Sequence, residues 1–187
     1  MVDLKKTMEA LATTRSIFHS EADFQFSLAW ELQRLYPSLA IRLEWRPGTN
    51  LGIDHVDILL IEASMRYGIE LKYKTRAFEG TVGDEHYSLK NQAAQDCGRY
   101  DFVADIGRLE TLKRKGKIDS GFAIFLTNDP SYWAENNDRD TADRAFRIGE
   151  GAELSGVRAW APGTGKGTTK SREGAIKLTG RYLMKWS

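Results

Sequence analysis

Two short apolar segments that follow each other closely carry ionisable residues, and this pattern constrains the fold more than any other feature of the chain. The segments HVDILLIE (55–62) and YGIELKYK (67–74) each predict a β-strand, and they are separated by the residues ASMR. Asp57 lies in the first segment, and Glu70 and Lys72 lie in the second. Charges inside a sheet are costly unless they are paired or bind a metal, so these residues need a partner.

A hairpin of these two strands predicts which side chains lie together. Side chains alternate along a strand, so Glu70 and Lys72 share one face of the sheet. If Glu62 and Tyr67 close the hairpin, Asp57 lies directly opposite Lys72, and Glu70 is within reach on the same face. The sequence therefore predicts that Asp57, Glu70 and Lys72 converge on one patch.

A divalent cation would explain why two carboxylates share such a patch, because without one they repel each other and resist desolvation. Mg²⁺ binds carboxylate and carbonyl oxygens, which makes Asp57, Glu70 and the backbone carbonyl of Leu71 candidate ligands. Lys72 could hold or activate an attacking water and offset negative charge. The pattern predicts phosphodiester hydrolysis with Mg²⁺ as cofactor and Mn²⁺ as its substitute.

The other segments predict a mixed α/β (α+β) fold. Helices are expected at 3–14 and between Ser20 and Pro37, strands at 41–46 and 121–129, a long helical segment at 84–115, and a helix or loop at 131–150. Further β structure is expected at 155–160 and 175–186. The order is α-β-β-β-α-β in a single domain over 1–187, with a core at about 18–128 and a C-terminal β extension at about 131–187.

Glu21 stands at the end of the apolar stripe of the second predicted helix. Phe24, Leu28 and Leu32 follow helical spacing and form that stripe, and Glu21 precedes Phe24 by one turn. An acid in the first turn of a helix is favourable against the helix dipole. A structural role and a role in a metal site are equally compatible with this position.

Asp57, followed by Glu70-Leu71-Lys72 on the next strand, resembles the D…(D/E)-x-K signature of the PD-(D/E)XK nuclease superfamily. The resemblance covers about residues 18–128 and implies a restriction-endonuclease-like αβββαβ core, a central mixed sheet flanked by helices. It implies that Asp57 and Glu70 bind a metal, that Lys72 is the catalytic lysine and that Glu21 is the acid of the first core helix. The implied partner is nucleic acid, with DNA favoured over RNA.

Three weaker candidates lie close to this signature. His55-Val56-Asp57 stands where the family motif has Pro-Asp, and His55 shares the face of Asp57, so it could line the site; exposure at the strand start explains it as well. Gln95 and Tyr100 resemble the Gln-x-x-x-Tyr element of RecB-like members, although their spacing is one residue longer. Packing also explains Tyr100.

The segment APGTGKGTTKSREG (161–174) predicts a loop with a possible role in substrate binding. Its basic residues Lys166, Lys170 and Arg172 could contact a phosphate backbone without sequence preference, and a solvated loop is an equal alternative. The spacing excludes a phosphate-binding P-loop, since Trp160 stands where the first glycine is required and Gly167 follows Lys166.

Composition limits the remaining possibilities. The 187 residues are 41% hydrophobic and 28% charged, as in globular domains, and the net charge of +1 does not by itself indicate nucleic-acid binding. The single cysteine, Cys97, excludes an internal disulfide. The apolar runs are too short to span a membrane and the N-terminus does not resemble a signal peptide, so a cytoplasmic protein with no membrane partner is expected. A homodimer is possible.

The alternative function is a non-catalytic nucleic-acid-binding or assembly protein on the same fold.

Overall fold

The fold is a mixed four-stranded sheet with helices on both faces and two additional hairpins. The computed structural model describes residues 2–48, 52–53, 55–134 and 140–187. The helices are α1 (Leu4–Thr14), α2 (Glu21–Leu35), α3 (Gln95–Arg114), α4 (Pro130–Trp133) and α5 (Lys166–Thr169), with a 3-10 turn at Arg144–Phe146. The strands are β1 (Ala40–Trp45), β2 (Val56–Glu62), β3 (Met65–Lys74), β4 (Phe78–Val82), β5 (Glu85–Leu89), β6 (Ser120–Thr127), β7 (Glu153–Arg158) and β8 (Ile176–Leu183).

The main sheet has the order β1-β2-β3-β6. The first three strands are antiparallel, and β6 runs parallel to β3 after a connection that contains the β4–β5 hairpin and α3. Helix α2 packs on one face and α3 on the other. The predicted mixed α/β architecture, with a mixed sheet flanked by helices, is therefore confirmed.

Helix α2 forms where the sequence predicts it. The Ser20 hydroxyl accepts a hydrogen bond from the backbone N–H of Asp23 at 3.1 Å, which satisfies one of the unpaired donors of the first turn. Phe24, Leu28 and Leu32 are completely buried against the sheet. Full burial of each such side chain stabilises the fold by roughly 1.5–3 kcal/mol, so this face fixes α2 across β2 and β3.

The β2–β3 hairpin is tighter than predicted. Glu62 pairs with Met65 rather than closing on Tyr67, and a two-residue turn at Ala63 and Ser64 connects the strands. Ala63 adopts a left-handed conformation with φ of 55°, as a tight hairpin turn requires. The predicted register was thus wrong by two residues, and the predicted opposition of Asp57 and Lys72 is wrong. A shift of two keeps every side chain on its predicted face.

The predicted helical segment at 84–115 was wrong at its start. Residues Glu85–Leu89 form strand β5, paired with β4, and α3 begins only at Gln95. Tyr87 and Leu89 are buried and alternate with exposed neighbours, which is the period of a strand. The hairpin packs beside the start of α2, where the His19 ring stacks on Tyr87 with ring centres 4.5 Å apart.

The C-terminal segment packs on α3. Strands β7 and β8 form an antiparallel hairpin, and Leu154 and Leu178 from it are buried against Val103 and Ile106 of α3. Between 131 and 150 the described structure is α4, the 3-10 turn and connecting loops; residues 135–139 of that prediction lie outside the described residues. The C-terminal strands therefore complete a hydrophobic cluster that begins on α3 and β6.

Candidate metal centre

The candidate site lies along the edge of β3 where β2 no longer pairs with it. The β2–β3 ladder extends from the turn to the pair Ile58–Ile69. Beyond this pair, the backbone N–H of Leu71 donates to Oδ2 of Asp57 at 2.6 Å, and that of Tyr73 donates to Oε2 of Glu21 at 2.8 Å. Carboxylates from β2 and α2 thus replace the missing strand partner, which brings two predicted site residues to one edge.

A cleft of about 180 Å³ opens at this edge. It is lined by Glu21, Ala22, Gln25, Glu44, His55, Asp57 and Leu71. The structure therefore brings together three of the predicted positions, Glu21, Asp57 and Leu71, with the weaker candidate His55. Glu44 and Gln25 are additional residues that sequence reasoning missed.

Glu44, His55 and Asp57 form the group best suited to hold a cation. One potential ligand atom from each lies within 4.8 Å of the others, and in the described part of the chain no other three His, Cys, Asp or Glu side chains form such a group. His55 Nε2 is 3.2 Å from Oε2 of Glu44 and 3.8 Å from Oδ1 of Asp57. Two carboxylates and an imidazole are a donor set that divalent metals accept.

Glu70 and Lys72 lie on the face of β3 that α3 covers, and Asp57 is close enough for its charge to act on the pKa of both. Glu70 Oε2 accepts from Nη2 of Arg108 at 2.7 Å, and the same nitrogen donates to Asp105 Oδ1 at 2.8 Å. Lys72 Nζ is 2.6 Å from Asp105 Oδ2 and donates to the Leu71 carbonyl at 3.2 Å. The charges that the sequence places inside the sheet are therefore compensated by a helix, and Asp105 and Arg108 are the partners that sequence reasoning missed.

Burial governs the protonation of this buried cluster. Glu70 is 1% exposed, and desolvation together with the nearby Asp105 raises its pKa to about 8, against the opposing effect of Arg108. Glu70 Oε1 is buried and has no hydrogen-bond partner. Burial alone would lower the pKa of Lys72, but the carboxylates of Asp105, Glu21 and Asp57 together outweigh it and raise that pKa above its usual value. Lys72 is consequently a fixed cation at neutral pH.

Gln95 and Tyr100 lie outside the cleft. Gln95 Nε2 donates to Oδ2 of Asp129 at 2.8 Å, which links the start of α3 to the N-cap of α4. The Tyr100 hydroxyl donates to the carbonyl of Gly174 at 2.9 Å, and its ring stacks on Trp160. Both side chains therefore hold the fold together at these positions.

The basic residues of the segment 161–174 are also remote from the cleft lining. Arg172 forms two hydrogen bonds to the carboxylate of Asp101 at 2.7 and 2.8 Å, which fixes the segment to α3. Lys166 and Lys170 are exposed at the ends of α5. Their predicted contact with a phosphate backbone stays a prediction.

A second cleft, of about 280 Å³, continues the groove along β3. Glu21 lines both clefts, and the second is also lined by Ser88 and Leu89 of β5 and by Lys90 directly after that strand. Gln92 Oε1 accepts a hydrogen bond from the N–H of Thr75 at 3.0 Å. Directly after β3, a side-chain oxygen thus again takes the place of a neighbouring strand. The two clefts thus meet at Glu21, and each has a residue of β3 in its lining.

Comparison with protein-family models, curated proteins and solved structures found no significant match for this chain. In the described residues, none of the helices combines the length and the apolar character needed to cross a bilayer.

Proposed function

We propose that this protein is a divalent-metal-dependent nuclease of the restriction-endonuclease-like fold that hydrolyses phosphodiester bonds in DNA. The observation that carries the proposal is the cleft in which the carboxylates of Glu21 and Asp57 flank Leu71 at the free edge of β3. A divalent ion held there would supply Lewis-acid activation of the phosphate and of water. Asp57, Glu21 and the Leu71 carbonyl offer the oxygen ligands that such an ion accepts.

Lys72 has a defined part in this proposal. Its ammonium group contacts the Leu71 carbonyl at 3.2 Å, so it lies next to one of the candidate ligands. Because Asp105 raises its pKa, Lys72 acts as a cation that offsets charge developing on the phosphate, and not as a general base. Glu70 contacts Arg108 and offers a metal its unpartnered Oε1.

Cleavage of supercoiled plasmid tests the proposal. The wild-type protein is expected to nick DNA with Mg²⁺ or Mn²⁺ and to be inactive in EDTA. Asp57→Asn is expected to lower the rate at least about 100-fold, as loss of one electrostatic contact in a preorganised site does. Asp84→Asn, at the exposed tip of the β4–β5 hairpin, is the matched control and should retain wild-type activity. Equal nicking by wild type and Asp57→Asn, or nicking in EDTA, would refute the proposal.

A second candidate is a non-catalytic nucleic-acid-binding or assembly protein on the same fold. The observation that favours it is that Glu70 and Lys72 are both engaged by α3, Glu70 by Arg108 and Lys72 by Asp105. Mutual compensation of buried charges explains such a network without any reaction. A protein of this class would bind labelled DNA in the plasmid experiment, leave it intact, and give the same affinity after Asp57→Asn.

A further inference from the structure

We propose that the cation site of this cleft includes the imidazole of His55 and the carboxylate of Glu44 beside Asp57, and that it therefore selects Mn²⁺ over Mg²⁺. The inference deepens the proposed function, on which it rests, by naming the ion and two additional ligands. Glu44 and His55 come from β1 and from the residue before β2, so the site forms only when both strands are paired.

The β1–β2 ladder places these residues together. Leu43 pairs with Ile58 and Trp45 with Val56, so Glu44 and Asp57 occupy opposing positions between the two pairs. Glu44 has a left-handed backbone with φ of 49°. Ligands at adjacent positions of an octahedral ion lie about 3 Å apart when metal–ligand distances are about 2.1 Å. The separations of 3.2 and 3.8 Å between His55 Nε2 and the two carboxylates approach this geometry.

Each carboxylate has one oxygen fixed by the protein and the other directed at His55. Gln25 Nε2 donates to Oε1 of Glu44 at 2.7 Å, which leaves Oε2 facing the imidazole. The N–H of Leu71 binds Oδ2 of Asp57, which leaves Oδ1 facing it. Gln25 also donates to the backbone carbonyl of Asp57 at 2.7 Å and so links the two strands. Outer contacts that orient ligands in this way are typical of metal sites.

The imidazole determines which ion the site prefers. Mg²⁺ is a hard cation that takes oxygen ligands, whereas imidazole nitrogen suits transition metals, and Mn²⁺ accepts both kinds of ligand. A site with two carboxylates and one imidazole therefore favours Mn²⁺. The competing explanation is a protonated His55 that forms ion pairs with both carboxylates and excludes cations.

Direct binding of Mn²⁺ separates these explanations without any need for turnover. Free Mn²⁺ is measured by electron paramagnetic resonance during titration of the full chain, and Mg²⁺ affinity is measured by competition. Wild type is expected to bind Mn²⁺ at least about tenfold more tightly than Mg²⁺. His55→Gln and Glu44→Gln are each expected to weaken Mn²⁺ binding at least about tenfold, and His55→Gln to remove most of the preference over Mg²⁺.

A matched control is present on the β4–β5 hairpin, where His86 Nε2 lies 2.9 Å from Glu79 Oε1 on the surface. His86→Gln and Glu79→Gln should leave Mn²⁺ affinity unchanged. Absence of Mn²⁺ binding by wild type, equal affinity for both ions, or unchanged binding by His55→Gln would each overturn the inference. Mn²⁺ binding that depends on His55 but gives no DNA cleavage would support the site and refute only the nuclease function.

Discussion

At the scale of single residues, the ionisable side chains between β3 and α3 form a chain in which acids and bases alternate. Glu70 contacts Arg108, Arg108 contacts Asp105, and Asp105 contacts Lys72. Two acids face two bases in this cluster, and Glu70, whose pKa burial raises to about 8, is mostly protonated at neutral pH. Removal of one member leaves its neighbour buried without full compensation, which costs more than the intact pair contributes.

We expect Lys72→Met to destabilise the protein by about 3 kcal/mol, the lower end for a broken buried pair, because Arg108 still contacts Asp105. The free energy of unfolding is measured in urea. Lys177→Met, at an exposed position of β8, is the control and should change it by less than about 0.5 kcal/mol. The double variant Lys72→Met/Asp105→Leu should recover part of the loss. If Lys72→Met were as stable as the control, the ion pair of Lys72 with Asp105 would not contribute to the free energy of unfolding.

At the scale of elements, the sequence predicted helices from local signals more accurately than it predicted how strands pair. The cap at Ser20 and the stripe of Phe24, Leu28 and Leu32 depend on neighbours in sequence, and α2 forms as predicted. The register of β2 and β3 depends on the turn that connects them. This turn needs a left-handed residue, and alanine at position 63 is not a residue type that predicts one. Because the shift was even, Asp57, Glu70 and Lys72 keep the faces that were predicted for them.

Glu110 of α3 holds β8 at a point where strand pairing is interrupted. The β7–β8 register shifts between Ser155 and Gly156, which leaves Thr179 and Gly180 without regular ladder partners. Glu110 accepts hydrogen bonds from the N–H groups of Thr179 at 2.8 Å and Gly180 at 2.6 Å, and from the Tyr182 hydroxyl at 2.8 Å. Burial alone would raise the pKa of Glu110, but these bonds outweigh it and lower that pKa below its usual value.

Glu110→Gln should therefore lower the free energy of unfolding by about 1–3 kcal/mol near neutral pH, because a charged acceptor is lost. A carboxyl with a lowered pKa stabilises the fold above its unfolded value, here 4.5, and loses that contribution as pH falls through the folded value. The difference between wild type and variant should shrink as acid is added, measured by urea unfolding across that range. Glu9→Gln, on the exposed side of α1, should show no such convergence. A pH-independent difference would rule out the ionised carboxylate as its source.

At the scale of the whole molecule, the site is assembled from segments that are distant in sequence. Asp57 and Glu21 were predicted because the strand pattern and the helix stripe point to them. Glu44 could not be predicted in this way. It reaches Asp57 only because it lies opposite that residue in the β1–β2 ladder, and the sequence does not show the register of this ladder. Asp105 and Arg108 were missed for a similar reason, since the contacts of α3 with β3 depend on how the helix crosses the sheet.

The C-terminal hairpin, predicted as an extension, carries part of the main hydrophobic packing. Leu154 of β7 is 1% exposed and lies in one cluster with Val103 of α3, which is fully buried. If this packing supports the whole molecule, Leu154→Ala should lower the free energy of unfolding by about 2–5 kcal/mol, as Leu28→Ala in α2 should. Both variants should unfold in one transition that tryptophan fluorescence and circular dichroism report together.

Val157→Ala is the control on the same hairpin, because Val157 is 65% exposed and its truncation should cost less than about 0.5 kcal/mol. An early transition in Leu154→Ala that leaves the rest of the protein at wild-type stability would indicate a hairpin that unfolds by itself. A single shifted transition would instead mean that α3 transmits the loss to the sheet, because the helix packs on the hairpin through Val103 and holds Glu70 and Lys72 of β3 through Arg108 and Asp105. Since these contacts reach the strand that forms the floor of the cleft, the same variant should also weaken Mn²⁺ binding once a measurable fraction of the protein is unfolded.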